Sequence, residues 1–198
     1  AITNAGLNTL YIYDETNTTP NCFDEESFDI TINLTPDINP IANQEECDSY
    51  TLPTITGNNL TGNEAYYDGL NGTGNTYNAG DAFTTPGTTT LYIYDETNTT
   101  PNCFDEESFD VTINVTPNFT VDFTDPTECN LSDGTIIIEV FDPNTNYAVS
   151  YSAGGAVIGP NNLTSDAAGI IIIGGLAAGS YSDVTVSSNG CTLVDNTS

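Results

Sequence analysis

Carboxylates are the only side chains that carry charge at pH 7. The 198 residues hold 28 Asp and Glu and no Lys, Arg or His, for a formal net charge of −28. The densest set is Asp95 and Glu96 followed by Asp105, Glu106 and Glu107, and Asp14, Glu15, Asp24, Glu25 and Glu26 repeat it at the same spacing. Paired carboxylates can hydrolyse a glycoside, one as acid and the other as base or nucleophile, provided the protein holds them at a fixed separation. Hard oxygen donors can also contribute to the six to eight ligands of a calcium ion. A second candidate calcium set is Asp122, Asp125, Glu128 and Asp133. The glycosidase reading is set aside, because both carboxylate groups lie in a polar, turn-rich stretch that would not fix their distance. Calcium remains open against a plain solvated acidic face, since no stretch has the DxDxDG pattern of an EF-hand loop. No cofactor is required, and calcium is the one that could be held.

The missing cations exclude more than the carboxylates suggest. A nucleophile would have no His or Lys to activate it, and an oxyanion or phosphoryl group would have no cationic side chain to stabilise it. The chain is therefore expected not to be an enzyme. Nucleic acid and anionic membrane surfaces are excluded as partners, because both are bound through Lys or Arg that replace counterions at phosphates. Lys-to-Asn isopeptide staples are impossible for the same reason. The hydrophobic content of 37% nevertheless argues for folded cores rather than disorder.

The elements that must position these residues are strands. Phe109, Val111, Ile113 and Val115 alternate with Asp110, Thr112, Asn114 and Thr116, and Phe28, Ile30, Ile32 and Leu34 do the same upstream. This period of two marks half-buried strands. Leu91 to Tyr94 reads as another, with either its aliphatic or its aromatic pair facing inward. Tyr147, Val149 and Tyr151 mark one more, while Thr135 to Val140 and Gly169 to Ile173 read as more fully buried strands. Turn pairs such as Asp68-Gly69, Asn71-Gly72, Asp133-Gly134 and Asn189-Gly190 punctuate them. No window has a helical apolar stripe, and GIIIIGGLAAG is too short and too Gly-rich to span a bilayer, so no direct membrane insertion is expected.

Residues 10 to 29 and 91 to 110 are identical, and residues 1 to 36 match residues 82 to 117 at 29 of 36 positions. A repeat of about 80 residues is the size of a self-contained domain. Three modules follow: 1–37, the later part of one repeat; 38–118, a complete repeat; and 119–198, a divergent one. The expected fold is all-β, as tandem immunoglobulin-like antiparallel β-sandwich modules, joined at the proline-bearing segments around Pro36, Pro40 and Pro117. Within this division Cys47 and Cys103 lie early and late in the complete repeat, and Cys129 and Cys191 lie likewise in the divergent one. Disulfides Cys47–Cys103 and Cys129–Cys191 are expected, with the partner of Cys22 upstream. Metal ligation and free thiols are the alternatives, weakened by the absence of His and of any CxxC pair. Disulfides place the chain in an oxidising, exported setting. Tyr66, Tyr67 and Tyr77, set among Asn and Gly, could form a sugar-binding face or simply pack against a sheet edge. Asn-x-Ser/Thr sites such as Asn17, Asn59, Asn71 and Asn162 say little in a chain so rich in Asn and Thr.

Three segments carry a family resemblance. The opening Cys47-Asp-Ser-Tyr-Thr-Leu-Pro, the strand GTTTLYIYDET and the close CFDEESFDVTINVTP resemble the repeats of very large, gliding-motility-associated bacterial surface proteins exported by type IX secretion. The run from Gly175-Leu-Ala-Ala-Gly-Ser-Tyr to Asn189-Gly-Cys-Thr is similar to the close of an SprB-type adhesin repeat, although the third module lacks an aromatic-rich middle. The resemblance implies an extracellular adhesin on the bacterial cell surface, attached to the outer membrane through parts outside these residues. It implies no catalytic residues. On this reading the repeats act as a stalk or spacer whose partners are the neighbouring modules. A polysaccharide-binding module and a filament or surface-layer subunit are the rival readings.

Overall fold

In the computed structural model, which describes residues 1–128 and 130–196, the chain is all-β, and no helix occurs among the described residues. It divides into two compact units. The first comprises Ala1–Gln44, Thr51–Phe83 and Thr89–Val111, and the second Glu45–Tyr50, Thr84–Thr88 and Thr112–Ser198. Neither unit has the bounds of a sequence repeat.

In chain order, β1 (Gly6–Glu15) and β2 (Phe23–Ile32) form an antiparallel hairpin. Then come β3 (Asp37–Ile38), β4 (Gln44–Cys47), β5 (Tyr50–Thr51), β6 (Gly57–Asn58), β7 (Ala65–Gly69), β8 (Thr73–Tyr77), β9 (Ala82–Phe83), β10 (Gly87–Glu96) and β11 (Phe104–Asn114). One sheet has the order β4-β11-β10-β7-β8, and the short pairs β3-β6 and β5-β9 complete this part. Period-two alternation decides which side chains go inward. Leu91 and Ile93 on β10 are fully buried while Tyr92 and Tyr94 between them are half-buried, so the aliphatic pair faces the core. On β11 the buried set is Phe109, Val111 and Ile113. Tyr66 stands opposite Ile93 in the β10–β7 register and meets the Phe109 ring edge to face at 6.1 Å.

The second unit carries β12 (Thr120–Thr124), β13 (Gly134–Glu139), β14 (Asn146–Ala153), β15 (Ala156–Thr164), β16 (Ile170–Leu176), β17 (Tyr181–Ser188) and β18 (Cys191–Asp195). Two sheets form, β12-β13-β16 and β15-β14-β17-β18. Ile136 and Ile138 of β13, Ile171 of β16, Tyr147 and Val149 of β14, and Val184 and Val186 of β17 share one buried cluster with Phe119 and Val140. Both sheets thus close on one core, an arrangement consistent with a β-sandwich. The Tyr147 hydroxyl donates to the Asp142 carboxylate at 3.0 Å, and burial, reinforced by that carboxylate, pushes its pKa up to about 12. β17 and β18 are joined by Asn189 and Gly190, both at positive φ, the two-residue turn that matches the twist of a hairpin.

The acidic stretch expected to be a long solvated turn is mostly strand. β10 runs through Asp95 and Glu96, β11 starts at Phe104, and only residues 97–103 remain as loop. That loop is locally determined. The Thr97 amide donates to the Cys103 carbonyl at 2.9 Å, the Asn98 amide to the Asn102 side chain at 3.0 Å, and Asn102 Nδ2 to Glu96 at 2.7 Å. The upstream copy makes the same bonds, Thr16 to Cys22, Asn17 to Asn21 and Asn21 to Glu15, at 3.0, 3.1 and 3.0 Å.

The two hairpins, identical over residues 10–29 and 91–110, differ in cover. Ile93 and Phe109 are 0% and 3% exposed, whereas Ile12 and Phe28 in the same places on β1 and β2 are 62% and 45% exposed. One substitution made at both copies therefore separates core packing from strand propensity. Ile93→Ala is expected to cost about 2–5 kcal/mol by losing buried methylenes, and Ile12→Ala no more than about 0.5 kcal/mol. Urea unfolding of each variant measures the difference.

Candidate functional site: the Cys47–Cys191 joint

The disulfide overturns the expected pairing. Cys47, at the end of β4, is bonded to Cys191, the first residue of β18, with Cα atoms 5.7 Å apart. Cys103 is a free, half-buried thiol and Cys22 a free, exposed one. Cys129, the other expected partner, lies outside the described residues. The physical reason is placement. Cys103 follows a tight loop between β10 and β11, whereas Cys47 closes β4 beside the far end of β11, where the β17–β18 turn arrives.

Four polar residues of the second unit organise the joint around Asn114, the last residue of β11. The Asp48 amide donates to the Asn114 carbonyl at 2.8 Å, and Cys191 Sγ lies 3.6 Å from the same oxygen. The Asn114 side-chain amide donates to Glu45 at 2.8 Å and to the Asn189 carbonyl at 3.2 Å. Asp48, at φ 64°, sits in the left-handed region that Asp and Asn tolerate best. Its carboxylate accepts the Thr116 amide at 2.8 Å and the Thr116 hydroxyl at 2.7 Å. Those two bonds, the amide first, hold the Asp48 carboxyl below the usual carboxylate range. Asn114 and Asp48 carried no sequence motif. The available signal was that Asn33 repeats Asn114 at the 81-residue offset, at the end of an equivalent strand.

The predicted acidic set is distributed rather than gathered. Asp95 is buried and accepts the Thr61 amide at 2.9 Å and the Thr61 hydroxyl. Asp105 accepts the Ile38 amide at 2.7 Å, Glu106 the Asn71 amide, and Glu96 the Tyr94 hydroxyl at 3.0 Å. Glu107 is half-buried on β11. At the other set, Asp122 accepts the Phe123 amide at 2.9 Å and Asp133 accepts the Thr127 amide at 2.9 Å and its hydroxyl at 2.6 Å, while Asp125 and Glu128 are exposed. Among the described residues no three Asp, Glu or Cys side chains are grouped so as to hold a metal ion. On β10 and β11 strand alternation separates them, since consecutive carboxylates point to opposite faces.

The three tyrosines differ in exposure: Tyr66 is buried, and Tyr67 and Tyr77 are half-buried. Tyr66 is fully buried with its hydroxyl donating to the Pro53 carbonyl at 2.9 Å, which removes it as a ligand residue. Tyr67 packs edge-on against Tyr94 at 6.3 Å and Tyr77 against Phe83 at 5.5 Å. Tyr66 lies on the internal strand β7, not at a sheet edge, and belongs to the core.

No protein-family model matches the chain, and no curated protein matches it significantly.

The lowered Asp48 pKa fixes a sign for acid stability. A carboxylate whose folded pKa is depressed stabilises the fold above its unfolded pKa, near 4, and loses that contribution as pH falls through the folded value. Asp48→Asn keeps the left-handed backbone but removes the charge that favours the Thr116 donors. Its melting temperature should lie below that of the parent at pH 7, and the gap should close progressively below about pH 4. Melting curves of both proteins across that range measure it.

Proposed function

We propose that this chain is a non-enzymatic stalk segment of an extracellular bacterial surface adhesin, built from tandem immunoglobulin-like repeats, that holds a binding part away from the cell. The observation that carries the reading is the disulfide. Cys47 belongs to the repeat drawn over residues 38–118 and Cys191 to the repeat over 119–198, so the bond links successive repeats rather than bracing one. A pull transmitted along the chain enters at Cys47, crosses the sulfur bridge and leaves at Cys191. The residues between them bear no tension while the bridge is intact.

Other features fit that role. The bridge closes a loop of 144 residues, worth about 5 kcal/mol in the chain-entropy account. A surface carrying −28 charges and no cation keeps neighbouring filaments apart. No helix of the described residues is long and apolar enough to cross a membrane. The resemblance to gliding-associated, type IX-exported repeats supports a cell-surface site of action. The polysaccharide-binding reading is weaker, because the tyrosines that suggested it are buried or packed on neighbouring rings.

Pulling the chain by its two ends tests the mechanical reading. Under oxidising conditions the 144-residue span should stay locked, and reductant should release it, adding about 500 Å of contour length at about 3.5 Å per residue. Equal release with and without reductant would contradict a bridge that carries the pull.

A further inference from the structure

The Cys47–Cys191 joint has a second, incomplete instance in the same chain. The hairpins that meet the two joints are topologically equivalent. β11-β10-β7-β8 and β18-β17-β14-β15 have the same order, and Cys103 precedes β11 as Cys191 begins β18. The residues receiving them are also equivalent. Asn114 at the end of β11 donates to the Asn189 carbonyl in the β17–β18 turn. Asn33, 81 positions earlier and just past β2, donates at 2.8 Å to both Thr99 Oγ1 and the Pro101 carbonyl in the β10–β11 loop. Thus the loop carrying Cys103 sits on Asn33 as the turn carrying Cys191 sits on Asn114. At the Asn114 joint a cysteine from β4, Cys47, completes the contact, and at the Asn33 joint Cys103 remains a free, half-buried thiol.

A third observation identifies what is missing. β1 and β2 repeat the sequence of β10 and β11, yet Ile12 and Phe28 are open to solvent where Ile93 and Phe109 are closed. Residues 38–81 include the strands that lie beside β10 and β11: β7 follows β10 in the sheet, and β4 follows β11. Tyr66 of β7 meets the Phe109 ring directly. An occupant that covers β1 and β2 in the same way is therefore a segment with the sequence of residues 38–81. Such a segment brings a cysteine in the position of Cys47 to the Asn33 joint.

We infer that Cys103 is the acceptor of an inter-repeat disulfide from a preceding segment of the 38–81 type, so that the cysteine early in each repeat is bonded to the one late in the next. Two thiols lose two protons and two electrons to form the bond, and a low-molecular-weight disulfide accepts them and is reduced to two thiols. The result is a staggered covalent ladder in which each hairpin tip is tied to the base of its predecessor. This goes beyond the stalk reading, because a repeat array with any other duty could carry the same stagger.

The test joins a second copy of residues 38–81 directly ahead of Ala1, which reproduces the natural Asp81–Ala82 connection at the new junction. The full chain so extended is refolded with glutathione disulfide, alkylated, cut at Asp and Glu, and its cross-linked peptides are mapped. The expected result is the added cysteine bonded to Cys103, the Cys47–Cys191 bond retained, and Cys22 alkylated. Amide protection at Ile12 and Phe28 should rise in the same sample. A bond from the added cysteine to Cys22, or an alkylated added cysteine in a protein whose Cys47–Cys191 bond has formed, overturns the inference. Should the extended chain fail to fold, the 38–81 peptide is offered in trans to the unextended protein. Mixed disulfide at Cys103 then supports the inference, and capture at Cys22 or at neither site overturns it.

Discussion

The second unit is cross-braced by one covalent bond, between Cys47 and Cys191. Tying Cys191 at the head of β18 to Cys47 at the end of β4 holds together residues 144 positions apart. β18 has only β17 as a hydrogen-bonded neighbour in its sheet, so the bridge anchors an edge strand that backbone pairing secures on one side only. The polar network of Glu45, Asp48, Asn114 and Thr116 gathers around that anchor. Its members are not acidic by accident of composition, because each carboxylate there has an amide or hydroxyl donor.

The same solution recurs at the buried Asp95 and the half-buried Asp105. With no Lys, Arg or His, charge compensation by a basic side chain is impossible, and N–H and O–H dipoles must do the work. Asp95 is solvated by Thr61 and Asp105 by the Ile38 amide, and the exposed Asp133 accepts from Thr127 in the same way. No buried side-chain nitrogen or oxygen among the described residues lacks a partner. The high Asn and Thr content then has a structural meaning, since these side chains are the donors and acceptors that a chain without cations relies on.

Much of the fold was legible in residue alternation. Phe109, Val111 and Ile113 predict one face of β11, and the same rule places Tyr147 and Val149 inside β14. The Asn189-Gly190 turn was equally plain, because two residues at positive φ call for that pair. The acidic stretch misled because polar alternation looks like loop when the inward residues are Asp95 and the outward ones Tyr94 and Glu96. The site was barely legible. Pairing cysteines within a repeat assumes that a late cysteine turns back to its own repeat, and nothing in the spacing shows that the hairpin tip meets the base of the preceding one. Tyr66 illustrates the same limit, since a tyrosine in a Gly- and Asn-rich context can bury its ring and satisfy its hydroxyl on a backbone carbonyl.

The connection between Cys47 and Cys191 is the point at which the account is most directly exposed. Peptide mapping of the oxidised, unextended chain under non-reducing conditions should yield the Cys47 peptide covalently joined to the Cys191 peptide. Recovery of the Cys47 peptide joined to Cys103 would contradict it, returning each bridge to a single repeat and removing the covalent link between neighbours.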